Sequence, residues 1–183
     1  LPSVCVGENG DVYVTFIVLD DPNEIIFHHL MPGGQSVVTT RAIASFPDYT
    51  FNAQDISTRF QPTVYSAVDN SGGEFSGRIY VAYTGSEVAG FDIFNVYLTY
   101  SDDQGVSWSE PKPIHENVES GVQQFYSSIY VNEDGVLFMD WYDRGSYGPD
   151  QGLTDFVMGI SVDGGENFNQ ITLTSEPMNF DFA

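Results

Sequence analysis

The chain has 183 residues, with 26 Asp and Glu set against five Lys and Arg, for a formal net charge of −21. Such a field repels nucleic-acid phosphates and anionic membranes and favours cations or a saline medium, so neither nucleic acid nor an anionic bilayer is an expected partner. Its 42% hydrophobic and 15% aromatic content exceeds what an acidic disordered segment carries, and a folded core is expected.

Taken in order, residues 2–6 read as a strand, Glu8-Asn9-Gly10 as a hairpin turn and 11–18 as an alternating strand. Asp20-Asp21-Pro22-Asn23 turns the chain again before a strand over 24–30. Pro32-Gly33-Gly34-Gln35 and Val37 follow. Cys5 is the single cysteine, so no internal disulfide is possible, and its apolar setting reads as a small core residue. The longest apolar run, 12–19, is too short to cross a bilayer, and no transmembrane segment is expected. Leu1 opens no recognisable signal peptide, and a chain that begins Leu1-Pro2-Ser3 reads as a processed or excised piece.

A second unit starts at Gln61-Pro62, with Pro62 60 residues after Pro2, and predicts strands over 62–68, 78–83, 94–100 and 112–114. The third predicts strands over 125–131, 136–142, 155–160 and 169–173, with the turn Glu133-Asp134-Gly135 between the first two. Residues 176–180 read as leading toward a further unit. Helical periodicity is absent throughout. The fold class is therefore all-β, with three four-stranded antiparallel meanders over about 1–45, 61–115 and 123–175 in one continuous segment, 1–183.

Two turns between third and fourth strands share one pattern. Ser101-Asp102-Asp103-Gln104-Gly105-Val106-Ser107-Trp108 and Ser161-Val162-Asp163-Gly164-Gly165-Glu166-Asn167-Phe168 both read Ser-x-Asp-x-Gly-x-x-aromatic, 60 residues apart. The Asp carboxylate is placed to accept turn N–H groups, Gly to take a positive φ, and the aromatic to fold back as a plug. In the first unit, Pro32-Gly33-Gly34-Gln35 stands at this place without the Ser and Asp, and Val37 holds the aromatic position.

The pattern resembles the Asp-box, the bacterial neuraminidase repeat of sialidase-like β-propellers. Phe138-Met139-Asp140-Trp141-Tyr142-Asp143-Arg144, together with Gln123-Gln124-Phe125 and Gly135-Val136, resembles secreted bacterial proteins labelled as exo-α-sialidases or neuraminidase-repeat proteins. The resemblance implies that the meanders are propeller blades, that three of them are incomplete as a ring, and that the protein is secreted or at the cell surface. It also implies that Ser101, Asp103, Gly105, Trp108, Ser161, Asp163, Gly165 and Phe168 hold hairpins and carry no chemistry.

In a four-stranded meander the connections between the second and third strands, and between successive sheets, share the end opposite the boxes. The longer connections, 42–60, 84–93, 115–124 and 143–154, are expected there and are where a site would sit. Asp48, Tyr49, Asp55, Glu87, Asp92, His115, Glu116, Glu119 and Asp155 are available to it. The ligand-binding candidates are Arg59, Asp143, Arg144, Tyr147 and Asp150. Sialidases are similar to one another in clamping a substrate carboxylate with three arginines, with a Tyr–Glu nucleophile and an acid/base Asp. This chain has four arginines. Arg78 is expected at the box end, Arg41, Arg59 and Arg144 within reach of the loop end, and no Arg-Ile-Pro segment is present, so no catalytic residue is assigned. Arg144 beside Asp143 also reads as a local ion pair. His28-His29 fall on opposite faces of a strand, which disfavours a two-His metal site. Asp69 and Glu74, and Asp20 and Asp21, offer oxygen ligands suited to calcium without EF-hand spacing, and equally read as solvated turns.

Three functions stay open from the sequence. The first is an extracellular module recognising a glycan or protein partner through its loop end. The second is a glycoside hydrolase whose other catalytic residues lie outside this chain. The third is a self-assembly module that associates through open blade edges.

Overall fold

The computed structural model describes residues 2–20, 22–47, 62–86, 94–115, 123–145, 147 and 152–179. Among these, three antiparallel sheets follow one another. The first holds β1 (Ser3–Val6), β2 (Val12–Val18), β3 (Asn23–Leu30) and β4 (Val37–Phe46); the second, β5 (Val64–Val68), β6 (Ile79–Gly85), β7 (Asn95–Ser101) and β8 (Lys112–Pro113). The third holds β9 (Gln124–Val131), β10 (Leu137–Asp143), β11 (Leu153–Ser161) and β12 (Asn169–Thr172). Within each sheet the strands pair in chain order. The leading strands stand side by side, β1 against β5 and β5 against β9, so the sheets stack face to face about a shared inner edge.

Two sequence expectations are corrected at their margins. β4 runs on to Phe46, so 42–46 is strand, held by pairing of Ile26 with Ala42 and Asn23 with Phe46. Met178–Asn179 form a short strand, β13, that pairs with Leu153 and Thr154 of β11 and so extends the edge of the third sheet; residue 180 lies outside the described residues.

The cores lie between sheets. Ile25 and Phe46 of the first pack with Val64, Val81, Tyr83 and Tyr97 of the second. Tyr80, Ala82, Val96 and Leu98 of the second pack with Leu137, Met139, Trp141 and Val157 of the third. Every residue of β6 is buried, as a central strand covered on both faces must be. Cys5 is half-buried against the Tyr13, Phe27 and Ile79 cluster, and burial pushes its thiol up to about 11, far from reactive thiolate character.

The turns after β7 and β11 are built alike. Ser101 Oγ donates to Asp103 Oδ1 at 2.8 Å and accepts the Gly105 N–H at 2.8 Å, while Asp103 Oδ1 also accepts the Ser107 N–H at 2.8 Å. Ser161, Asp163, Gly165 and Asn167 repeat this at 2.8, 2.9 and 2.9 Å. Trp108 Nε1 donates back to the Gly105 carbonyl at 3.2 Å, and its ring meets Phe27 edge-on at 5.0 Å. Phe168 packs likewise against the core between the second and third sheets. Gly105 (φ +85°) and Gly165 (φ +88°) press on the preceding sheet: a Cβ at Gly105 would lie 2.0 Å from Phe27 Cε1, and one at Gly165 would lie 2.9 Å from Leu98 Cδ2.

Arg78 locks the second sheet to the third at this same end. Its guanidinium donates to both Asp102 carboxylate oxygens, at 2.7 and 2.8 Å, and to the Gly164 carbonyl at 2.8 Å, and lies over Tyr100 at 3.9 Å. A Cβ at Gly164 would meet Arg78 Nη1 at 2.7 Å. The equivalent position in the earlier turn tolerates Gln104 at φ +59°.

Gly105→Ala is expected to destabilise the fold by roughly 3–5 kcal/mol, because backbone strain and a clash with a buried ring act together. Gly34→Ala, where no heavy atom lies within 4 Å, should cost only the backbone penalty of about 1 kcal/mol. Urea unfolding of the two variants checks the contrast. The turn hydrogen bonds hold the carboxyls of Asp103 and Asp163 down at about 2. Their contribution is complete above the ordinary Asp range near pH 4 and is lost as pH falls toward 2, so Asp163→Asn should flatten the fall in melting temperature between those values.

Candidate functional site

The end of the molecule opposite these turns collects the termini of β6, β8 and β10 and the starts of β7, β9 and β11. A bulge shapes it: the register of β9 on β10 shifts between Asp140 and Tyr142, with Tyr126 at φ +51°. Such irregularities re-aim the neighbouring side chains. Here they bring Gln124 opposite Asp143 at the strand end.

The side chains gathered there are polar; Asn95, Gln123, Gln124 and Arg144 are buried and Asp143, Tyr147 and Asp155 half-buried. Asp143 accepts from Gln124 Nε2 at 3.3 Å, from Trp141 Nε1 at 3.3 Å and from the Gly145 N–H. Arg144, 2% exposed, donates from Nη1 to Gln123 Oε1 at 2.7 Å and from its backbone N–H to the Gln123 carbonyl at 3.1 Å. Asn95 Nδ2 donates to Tyr97 OH at 3.3 Å. Tyr147 OH donates to Asp155 Oδ2 at 3.1 Å, and Thr174 Oγ1 donates to Asp155 Oδ1 at 2.8 Å. Burial and the Asp155 carboxylate together raise the Tyr147 phenol above its usual range.

Hydrogen-bonding capacity is left over. Thr84 Oγ1, Asn95 Oδ1 and Gln124 Oε1 are buried without a partner among the described residues, and so are both ring nitrogens of His115. His115 is 5% exposed. Burial pushes its imidazole down to about 4, with the Asp143 charge pulling weakly the other way, so the ring is neutral, one nitrogen a donor and the other an acceptor. It lines a groove of about 190 Å³ between the outer edges of the second and third sheets, together with Lys112, Pro113, Phe168 and Gln170. Lys112 Nζ is held by Glu166 Oε2 at 2.9 Å, Glu166 Oε1 accepts from Tyr100 OH at 2.9 Å, and Gln170 Nε2 donates to the Ile114 carbonyl at 2.9 Å. The polar side chains in the groove lining, Lys112, Glu166, Asn167 and Gln170, can donate to and accept from a hydroxyl-rich ligand.

Of the sequence-predicted residues, Asp143, Arg144, Tyr147, His115 and Asp155 do lie at this end. Arg59 and Asp150, with Asp48, Tyr49, Asp55, Glu87, Asp92, Glu116 and Glu119, lie outside the described residues. Arg78 sits at the turn end, and Arg41 is exposed in mid-β4 opposite Phe27. His29 turns inward to Asp11 at 3.1 Å while His28 bonds Thr40 on the other face at 2.7 Å. Among the calcium candidates, Asp69 is 1% exposed and accepts the Ser71 N–H at 2.8 Å, Glu74 and Asp20 are exposed, and Asp21 lies outside the described residues. Among the described residues no three His, Cys, Asp or Glu side chains converge on a point that could hold a metal ion, and no helix is long and apolar enough to cross a membrane. Thr84, Asn95 and Gln124 were not singled out by sequence reasoning; the signal was a polar residue at the mouth of an otherwise apolar strand.

No protein-family model matches the sequence, and no curated protein matches it. Solved structures do match by fold. Hadza microbial sialidase Hz136 superposes with a TM-score of 0.63 at 18% identity, over 92% of this chain and 36% of that one. The Penicillium chrysogenum α-L-arabinanase solved with arabinobiose gives 0.59 at 14% identity, over 98% of this chain and 50% of that one. The leech intramolecular trans-sialidase solved with 2,7-anhydro-Neu5Ac gives 0.53 at 17% identity, over 85% and 20%. The chain thus spans between a fifth and a half of these three structures, and its fold is that of a sialidase-like β-propeller.

Neutral His115 makes stability depend on pH. Its folded value near 4 lies below its unfolded value of about 6.5, so its contribution is complete above pH 6.5 and is lost as pH falls to 4. His115→Gln should remove that slope from the melting curve, read by circular dichroism across the interval.

Proposed function

We propose that this sialidase-like propeller module recognises a glycan at the loop end of its second and third sheets, outside the cell. The observation that carries the reading is a groove of about 190 Å³ along the outer edges of these two sheets, with Lys112, His115, Glu166, Asn167 and Gln170 in its lining; the His115 imidazole is buried and neutral, and neither ring nitrogen has a partner among the described residues. A sugar hydroxyl both donates and accepts, and so can serve either imidazole nitrogen. Solved structures of the same fold were obtained with 2,7-anhydro-Neu5Ac and with arabinobiose, which supports a saccharide and leaves its class to experiment. The Tyr147–Asp155 pair lies at the same end of the third sheet, where an aromatic ring can stack on a sugar.

A second reading, glycoside hydrolysis, is favoured by one observation, the abundance of glycosidases among the structural matches. The carboxylates at this end, Asp143 and Asp155, are each engaged by donors of the protein itself, an arrangement that suits holding a ligand more than moving a proton.

Titration calorimetry with 3′-sialyllactose and with arabinobiose, in parallel, tests the proposal. One of the two is expected to bind, with affinity reduced at least about tenfold by His115→Ala and partly restored by His115→Gln, as fits loss of one or two hydrogen bonds. Saturable binding that is indifferent to both variants, or no binding of either sugar, contradicts it. Release of free sugar during the titration moves the reading to the hydrolase.

A further inference from the structure

Lys112 is the only lysine of the chain, and it brings the one Lys or Arg charge to the described lining of the groove. That charge is already matched. Lys112 Nζ donates to Glu166 Oε2 at 2.9 Å and to the Glu166 carbonyl at 3.1 Å, while Glu166 Oε1 accepts from Tyr100 OH at 2.9 Å. Tyr100 is fixed in turn: its ring lies 3.9 Å from the Arg78 guanidinium, which is held by both Asp102 oxygens and by the Gly164 carbonyl. An isolated surface ion pair is loose, because two long side chains give up rotamer freedom for a small gain. Here both carboxylate oxygens are engaged, and the pair stands as a preformed part of the groove wall.

The rest of the lining adds no positive charge. His115 is buried and neutral, Asn167 Nδ2 donates to Asp163 Oδ2 at 2.8 Å, and Gln170 Nε2 donates to the Ile114 carbonyl at 2.9 Å. Among the described arginines, Arg78 is engaged at the turn end, Arg144 donates to Gln123 at the loop end, and Arg41 lies on the first sheet. The background field is that of a chain with charge −21.

A carboxylated sugar entering this groove has to draw Lys112 away from Glu166, uncovering a carboxylate that Tyr100 keeps in place, and it sets like charges together in a negative surround. An uncharged sugar meets neither cost. Its hydroxyls can accept from Lys112 and donate to the Glu166 oxygens with the pair intact, and its C–H faces can pack on Pro113 and Phe168. Resting on glycan binding at this groove, we propose that it selects uncharged saccharides over acidic ones and that Glu166 enforces the choice. Such selectivity is a difference between two affinities, set as much by what repels the wrong ligand as by what holds the right one.

Titration calorimetry at low and at high salt tests this with lactose against 3′-sialyllactose, galactobiose against digalacturonate, and arabinobiose. An uncharged sugar is expected to bind at least about tenfold more tightly than the acidic ones, with a gap that narrows as salt screens the repulsion. Glu166→Gln keeps an acceptor for Tyr100 and frees the Lys112 charge, so acidic sugars should gain at least about fivefold; Lys112→Gln leaves Glu166 unbalanced and should widen the gap. Both side chains are partly exposed, and melting followed by circular dichroism checks each fold; should Glu166→Gln fold poorly, Lys112→Gln carries the test. Opposite shifts from the two variants are the signature of charge, since damage to the groove wall would move both the same way. Tighter binding of an acidic sugar, or a ratio unmoved by the folded variants, overturns the selectivity and leaves glycan binding standing. Failure of every sugar in the set to bind withdraws both.

Discussion

The structure depends on one close approach: a bare backbone in a turn lying against the third strand of the sheet before it. Gly105 and Gly165 both sit at positive φ and both leave no room for a methyl group, so the same residue answers two demands, conformation and space. The Ser–Asp hydrogen bonds that close each turn hold the glycine there. Trp108 and Phe168 then fill the seam that the glycine opens. Arg78 adds a third fastening, tying Asp102 of one turn to the Gly164 carbonyl of the next. Three sheets are thereby fixed at one end, and the other end is left for connections and polar side chains.

That division of labour explains why chemistry gathers where it does. Among the described residues, buried polar atoms without partners occur at both ends, Asp69 Oδ2 and Tyr80 OH near the turns and atoms of Asn95, Gln124, Thr84 and His115 toward the loop end, where they are more numerous. Leaving such atoms buried costs stability, and a site that binds hydroxyl-rich ligands is one setting in which the cost is recovered. The neutral state of His115 follows from the same burial, and it provides a donor and an acceptor on one rigid ring.

Much of the fold was legible in the sequence because its signals are local. Asn9-Gly10 specifies a tight hairpin, and Gly10 adopts φ +82°. Strand alternation put His28 and His29 on opposite faces, and in the structure His29 turns inward and His28 outward. The repeated Ser-x-Asp-x-Gly turns set the register of the second and third sheets, and with it the end at which Arg78 lies. Where the outcome rests on pairing across distance, the sequence was silent. Residues 42–46 read as a connection because nothing local says that β3 has partners for them, and the pairing of Met178 with Thr154 is a long-range contact that no local signal announces. The site was legible in part: Asp143, Arg144 and Tyr147 were found through loop length, whereas Gln124 is placed by a bulge that no local signal announces. That Arg144 would point to Gln123 is likewise a property of the folded end and not of the Asp143-Arg144 dipeptide.

The central claim is that turn glycine and preceding strand are a fitted pair, and a double-mutant cycle between Gly105 and Phe27 measures it most directly. If the seam is as described, Phe27→Ala removes the ring that an alanine at 105 would strike, and the double variant is more stable than the sum of the two single losses allows. Additive losses within experimental error would mean that the two positions do not touch, and the account of how the sheets are joined would fail.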